Sequence, residues 1–435
     1  MNKWVARLWG IGTLAALCVL ACSADGGGAN SGGAPGSGGA ASGGGSASGG
    51  AIGLDGGTVD ASLPPAVAQL KGKVVAPQGT MPISGALVYL GPTEPIPDGT
   101  YCDRCVALPP GVPFTFTKPD GTFDLGAYTT GTQSLVVQKG QFRRIRNIDV
   151  TPGDVSVPIE LTTLPKKTDV AAGDNIPKMA VVQGAWDALE VTLAKLGLGE
   201  LEPGFLGIGS QLKAGSAAFT MVTNRNAFLS NPAELAKYHV VFIPCHNNGG
   251  GASCDDTTSG DATIQKNLQD FVAAGGKLYV TDYSYDYLAQ PFPGYVDWIG
   301  QTSQIGSACQ GDSYNAAATI KDPSMQSWLA ALGVSAFEVE DSWTIIDKVN
   351  AVQTTDLDGN PTTVTPTVWV EGAVPSHGTK PTTVSFVRSC GRVLFSTYHT
   401  EAGNAPPNSP LKPQEAALLY VLLEVGVCVT PSVPR

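Results

Sequence analysis

Side chains able to make or break bonds are few in this chain of 435 residues, which holds nine cysteines and four histidines. Cysteine attacks or ligates only as the thiolate, and histidine is the side chain that moves protons near neutral pH. Cys102-Asp103-Arg104-Cys105 is a lone CxxC. Zinc wants three or four ligands and no second pair follows at finger spacing, so a loop-tightening disulfide is expected there. Cys245-His246 opens a Gly-rich loop that ends Cys254-Asp255-Asp256. The ligand types would suit a metal, but such a loop fixes little geometry, and a Cys245–Cys254 disulfide is the expectation. Cys390, before a strand, and Cys428, after the last helix, read as a further clamp. Tyr398-His399-Thr400-Glu401 sets an imidazole two positions from a carboxylate.

Two other patterns carry polar chemistry. Asp356-Leu357-Asp358-Gly359-Asn360 has the start of a calcium loop, but the third acid and the closing Glu are missing, so a hairpin turn is expected. An aromatic run, Tyr279, Tyr283, Tyr285, Tyr287, Phe292, Tyr295 and Trp298, is interleaved with Asp282 and Asp286. Exposed, such rings and acids suit sugar rings or a partner surface. Buried, they cover a small core of their own. The candidate ligand-binding set is Asp282, Tyr283, Tyr285, Asp286 and Trp298. No metal and no cofactor are expected.

These residues need a scaffold, and the chain divides into stretches of different texture. Residues 1–21 pair Lys3 and Arg7 with an apolar run from Leu8 to Leu20, too short for a bilayer-spanning helix and fitting a signal peptide. Residues 22–64 are Gly/Ser-rich, with almost nothing to bury. They form a flexible tether with a root-mean-square reach of roughly 35 Å. Residues 65–164 alternate short β-branched runs with Gly, Pro and Asp turns, which predicts a small all-β sandwich. Pro119-Asp120-Gly121 is its hairpin signal. After a linker at 165–174, residues 175–430 alternate strand and helix, which predicts an α/β doubly wound, flavodoxin-like domain. There Asp187 and Glu190 have capping-box spacing before a helix whose Leu189, Leu193 and Leu196 share one face. The formal net charge of −11 opposes a nucleic-acid partner, which needs a basic face.

Three resemblances extend this reading. The ending Val19-Leu20-Ala21-Cys22 resembles a bacterial lipobox, which implies lipidation of Cys22 and membrane attachment through that anchor. Ser23 after the cysteine implies the outer membrane. The segments GKVV, PISGALVYL and TKPDGTFDLGAY resemble the carboxypeptidase regulatory-like family, a transthyretin-type sandwich that implies an accessory rather than a catalytic role. The segments KMAVVQGAWDALEVTLAKLG, YHVVFIPC, LQDFVAAGGKLYVTDY and GRVLFSTYHTEAG resemble the class I glutamine amidotransferase-like superfamily, including its trehalose-utilisation-like members.

That last resemblance implies that His399 and Glu401 stand where active relatives carry their His-x-Glu. Its nucleophile elbow falls at Thr281-Asp282-Tyr283, where there is neither cysteine nor the glycines that permit a strained turn. Cys245 lies one strand too early and reaches His399 only if the strand ends converge. The expectation is therefore a lipid-anchored envelope protein that binds glycan or another envelope component without chemistry of its own. The alternatives are a hydrolase of envelope carbohydrate or amide bonds using His399, Glu401 and Cys245, or a structural scaffold.

Overall fold

The computed structural model describes residues 65–102, 106–246, 256–356, 359–400, 405–423 and 429–430. The leader, the tether with Cys22, and Cys105, Cys254, Glu401 and Cys428 lie outside the described residues.

Residues 65–175 form a three-stranded and a five-stranded sheet. Strand side chains alternate between faces, so Ala68 and Leu70 of one strand and Phe123, Leu125 and Ala127 of its partner are buried together. They share a core with Val88, Leu90, Leu135 and Val137 of the five-stranded sheet. Gly121 has φ +78°, as a tight turn at Pro119-Asp120-Gly121 requires. The strands it joins, Phe114–Phe116 and Thr122–Ala127, belong to different sheets. The expected hairpin is instead a turn that carries the chain from one sheet to the other.

The remaining chain builds a nine-stranded sheet. Its strands, numbered along the chain, are β1 (Met179–Val182), β2 (Thr220–Val222), β3 (Val240–Ile243), β4 (Lys277–Thr281), β5 (Cys309–Ile320), β6 (Glu338–Thr344), β7 (Thr367–Val374), β8 (Gly378–Arg388) and β9 (Gly391–Ser396). Their spatial order is β2-β1-β3-β4-β9-β8-β7-β5-β6. The first five run parallel, and the rest are added antiparallel. In the parallel half, alternate residues enter two different cores: Val181, Phe242 and Tyr279 on one face, Val182, Ile243 and Val280 on the other. That explains the unbroken apolar runs, because a parallel sheet is covered on both sides.

Among the covering helices are α1 (Leu189–Leu193), α2 (Arg225–Leu229), α3 (Ala262–Ala273), α4 (Pro323–Ala331) and α5 (Pro413–Leu423). Leu189, Leu193 and Leu196 are all buried, and Gly197 at φ +99° ends the α1 segment.

The small sheets and the large one belong to a single compact unit. Trp328 Nε1 of α4 donates to the Pro82 carbonyl at 2.8 Å, and Lys277 Nζ of β4 donates to Gln141 Oε1 at 2.9 Å. A disulfide joins Cys102 to Cys390 across 288 positions. This replaces both expected pairs, Cys102 with Cys105 and Cys390 with Cys428. The cause is a close backbone approach: a Cβ at Gly275 would stand 1.9 Å from the Tyr101 carbonyl, so only glycine lets the Cys102 segment lie against the sheet beside the β8–β9 turn. Cys309 is also disulfide-bonded, and Cys245 is free and buried, so the expected Cys245–Cys254 bridge does not form. Val352–Thr355 and Pro361–Val364 pair antiparallel, with Asn360 N donating to Asp356 Oδ1; Leu357 and Asp358 between them lie outside the described residues.

Candidate functional site: a buried cluster beside an open crevice

Parallel sheets hold ligands outside the carboxyl ends of their strands. Three adjacent ends, those of β3, β4 and β9, bring Cys245, Asp282 and His399 together. One ligand atom from each lies within 4.8 Å of the others. The strand ends converge, as a meeting of Cys245 with His399 requires, although β4 stands between β3 and β9 in the sheet. Glu401 lies outside the described residues, and the carboxylate at His399 is Asp282, whose Oδ2 is 3.1 Å from Nε2.

Asp282 occupies the turn that leaves β4 for a helical segment, and its φ is +45°. The strained elbow therefore forms without flanking glycines, contrary to expectation. A non-glycine residue in this region costs about 1–2 kcal/mol, and Asp is among those that tolerate it. Anchoring offsets the cost, since Asp282 Oδ1 accepts from Trp343 N and from Thr344 Oγ1, both at 3.0 Å.

The backbone around the other two donors is held as firmly. Cys245 N donates to Thr281 Oγ1 at 2.8 Å, and Thr281 Oγ1 donates to Asp187 Oδ2 at 2.8 Å. Thr400 N donates to Asp187 Oδ1 at 3.0 Å, and Gln414 Nε2 donates to the His399 carbonyl at 2.7 Å. Asp187 consequently does not cap α1, which starts at Ala188 without a side-chain cap. Its carboxylate instead ties the ends of β4 and β9 together.

Burial governs the protons. Desolvation pushes the Cys245 thiol up to about 11, against the opposing pull of His399. Desolvation also raises Asp282 to about 6, opposed by His399, Thr344 and the Trp343 amide. For His399 burial works against the charge, but Cys245 and Asp282 outweigh it and the imidazole is held well above its ordinary value. Because Cys245 stays protonated, Asp282 is the partner we hold responsible.

The aromatic run does not line a cleft. Tyr283, Tyr285, Tyr287, Tyr295 and Trp298 are all buried. Tyr295 stacks on Phe386 with centroids 4.0 Å apart, and Trp298 meets Phe395 edge-on. Some of their polar atoms are occupied from within: Ala308 N donates to Tyr285 Oη at 3.0 Å, and Gly306 N donates to Asp286 Oδ2 at 2.7 Å, whereas Tyr295 Oη and Trp298 Nε1 are buried without a hydrogen-bond partner. The segment after β4 folds back over its own rings. A glycan surface formed by Tyr283, Tyr285, Asp286 and Trp298 is therefore corrected to a core.

The open concavity lies one strand over, at the ends of β2, β1 and β3. A crevice of about 450 Å³ is lined by Gln183, Gly184, Thr223, Asn224, Asn226 and His246, with Arg225 and Thr258 on its wall. The chain crosses from one side of the sheet to the other between β1 and β3, and doubly wound folds open a ligand crevice at such a switch point. Gly184 permits the tight fit of the β1 loop, because a Cβ there would stand 2.5 Å from the Asp187 carbonyl. Trp186, 45 % exposed, follows two positions later.

The crevice is polar but close to neutral. Arg225 pairs with Asp256 at 2.7 Å, its guanidinium 5.6 Å above the Tyr287 ring. Burial, then Arg225, pushes the His246 imidazole down to about 4. The sequence pointed to His246 and Asp256 only as metal-ligand candidates; the available signal for Gln183, Gly184, Thr223, Asn224 and Asn226 was their place immediately after the first two predicted strands.

The strand order defines a doubly wound, flavodoxin-type parallel sheet extended by an antiparallel half. No family model matches the chain, and no curated protein matches it. Among solved structures, one described as a ThuA-like protein from Bacteroides uniformis has 9 % identity and a TM-score of 0.33, covering 56 % of this chain and 89 % of that one. A structure described as a GMP synthase component from Thermoplasma acidophilum has 10 % identity and a TM-score of 0.33, with coverage of 57 % and 94 %. A β-galactosidase from Bacillus circulans sp. alkalophilus has 12 % identity and a TM-score of 0.30, with coverage of 57 % and 30 %. The flavodoxin-type description rests on the strand order alone.

Proposed function

We propose that this chain is a lipid-anchored envelope protein whose α/β domain binds a glycan or another neutral, hydroxyl-rich envelope component. The observation that carries this reading is the crevice of about 450 Å³ at the switch point, whose walls include amides, hydroxyls, a neutral imidazole and the Arg225 guanidinium paired with Asp256. Such a volume suits a small ligand, and a few convergent polar groups would fix its orientation. Amide side chains exchange hydrogen bonds with sugar hydroxyls, and Trp186, 45 % exposed two positions after Gly184, offers a flat face. The lipobox-like leader and Gly/Ser tether support the envelope address. The two sheets of residues 65–175 support a carboxypeptidase regulatory-like sandwich as a spacer.

A glycan array with the full chain, followed by calorimetry on the best ligand, tests this reading. Gln183→Ala or Asn226→Ala is expected to weaken binding about fivefold, the worth of one neutral hydrogen bond of about 1 kcal/mol. Trp186→Ala should weaken it further. An array without hits, or affinities that ignore all three changes, removes the proposal.

A further inference from the structure

The buried cluster has an oddity that the crevice does not explain. Asp282 Oδ2 and His399 Nε2 are fully enclosed, stand 3.1 Å apart, and meet at angles that complete no hydrogen bond. A free thiol faces both of them. Buried polar atoms are nearly always bonded, and two orphans aimed at one point call for an explanation.

We propose that Cys245, Asp282 and His399 form a binding site for a zinc-type divalent cation. The inference is independent of the crevice and of its ligand.

Geometry and donor chemistry agree. In a tetrahedral centre with zinc–nitrogen and zinc–oxygen bonds of about 2.0 Å, those two donors lie about 3.3 Å apart. The observed 3.1 Å is already close to that edge. Thiolate, imidazole and carboxylate together favour zinc over magnesium or calcium, which prefer oxygen alone. Three protein ligands leave a fourth position open.

The surroundings have the form of a built site. Trp343 N and Thr344 Oγ1 hold the far oxygen of Asp282, so Oδ2 is free to ligate. Thr281 fixes the Cys245 backbone, and Gln414 fixes that of His399. Such outer contacts orient ligands before the ion arrives. With one thiolate, one carboxylate and one neutral imidazole as ligands, a dication leaves a neutral centre, and the thiol proton it displaces goes to solvent.

Cobalt substitution of the full chain tests the site without any activity. After chelation and loading with Co²⁺, the parent should show a near-ultraviolet thiolate-to-cobalt charge-transfer band and the strong visible bands of a four-coordinate ion. Cys245→Ser should lose the near-ultraviolet band. Asp282→Asn, which keeps a residue tolerant of positive φ, and His399→Gln should each weaken zinc binding at least tenfold in a competition titration. Absence of the charge-transfer band in the parent overturns the proposal whether or not any variant folds. So does a band that persists in Cys245→Ser.

Discussion

Two neighbouring stretches of one sheet edge have opposite characters. Both use the end of β3: Cys245 turns into the closed cluster, and the next residue, His246, lines the open crevice. The cluster is buried and held by a second layer of hydrogen bonds. The crevice is nearly neutral, and Gln183, Thr223, Asn224 and Asn226 on its rim are exposed. Residues rich in intrinsic reactivity are enclosed, whereas plain amides face solvent. Reactivity read from residue type therefore does not locate a binding surface; the position of the strand ends does.

The contrast can be broken by stability measurements. The largest effect is expected at Asp282. With a chelator present, Asp282→Ala should cost about 3–5 kcal/mol in denaturant unfolding, the usual penalty for leaving one member of a buried ion pair alone. A loss below ~1 kcal/mol would mean that the cluster is not a rigid element of the sheet edge.

An intermediate effect is expected at Glu190, in α1 between the two regions. Burial, with a smaller push from Asp187, raises its carboxyl from 4.5 to about 7. A folded-state value above the unfolded one means full stability below about pH 4.5 and progressive loss as the pH rises through 7. Glu190→Gln should flatten that decline and gain on the order of 1–3 kcal/mol at pH 8. Parallel pH profiles for parent and variant would contradict the assignment. The smallest effect belongs to the rim, where Gln183→Ala should shift stability by no more than ~0.5 kcal/mol, as exposed sites usually do.

Several features were legible because they depend on local pattern. The strands at Met179–Val182 and Val240–Ile243 show as unbroken apolar runs, and the α1 leucines show as one face. Turn chemistry was read correctly at Gly197, but at Gly121 the turn was right and the pairing wrong, since turn residues do not say which sheet the next strand joins. Asp187 and Glu190 had capping-box spacing, yet Asp187 bonds to Thr281 and Thr400, 94 and 213 positions away. The buried pair of Lys195 and Glu415, at 3.1 Å, left no local sign at all.

By itself the sequence determined the β-rich texture of residues 65–164 and the strand–helix alternation of the domain that follows. Each follows from composition or from a period of two or 3.6 residues, and needs no knowledge of distant neighbours. Tertiary structure alone decided the Cys102–Cys390 bond, the enclosure of the aromatic run, the meeting of Cys245 with His399 and the neutrality of the crevice. All four depend on the order in which strands stand side by side. That order sets which chain ends converge and which loops lie over them, and solvent exposure, proton affinity and bonding partner follow from it.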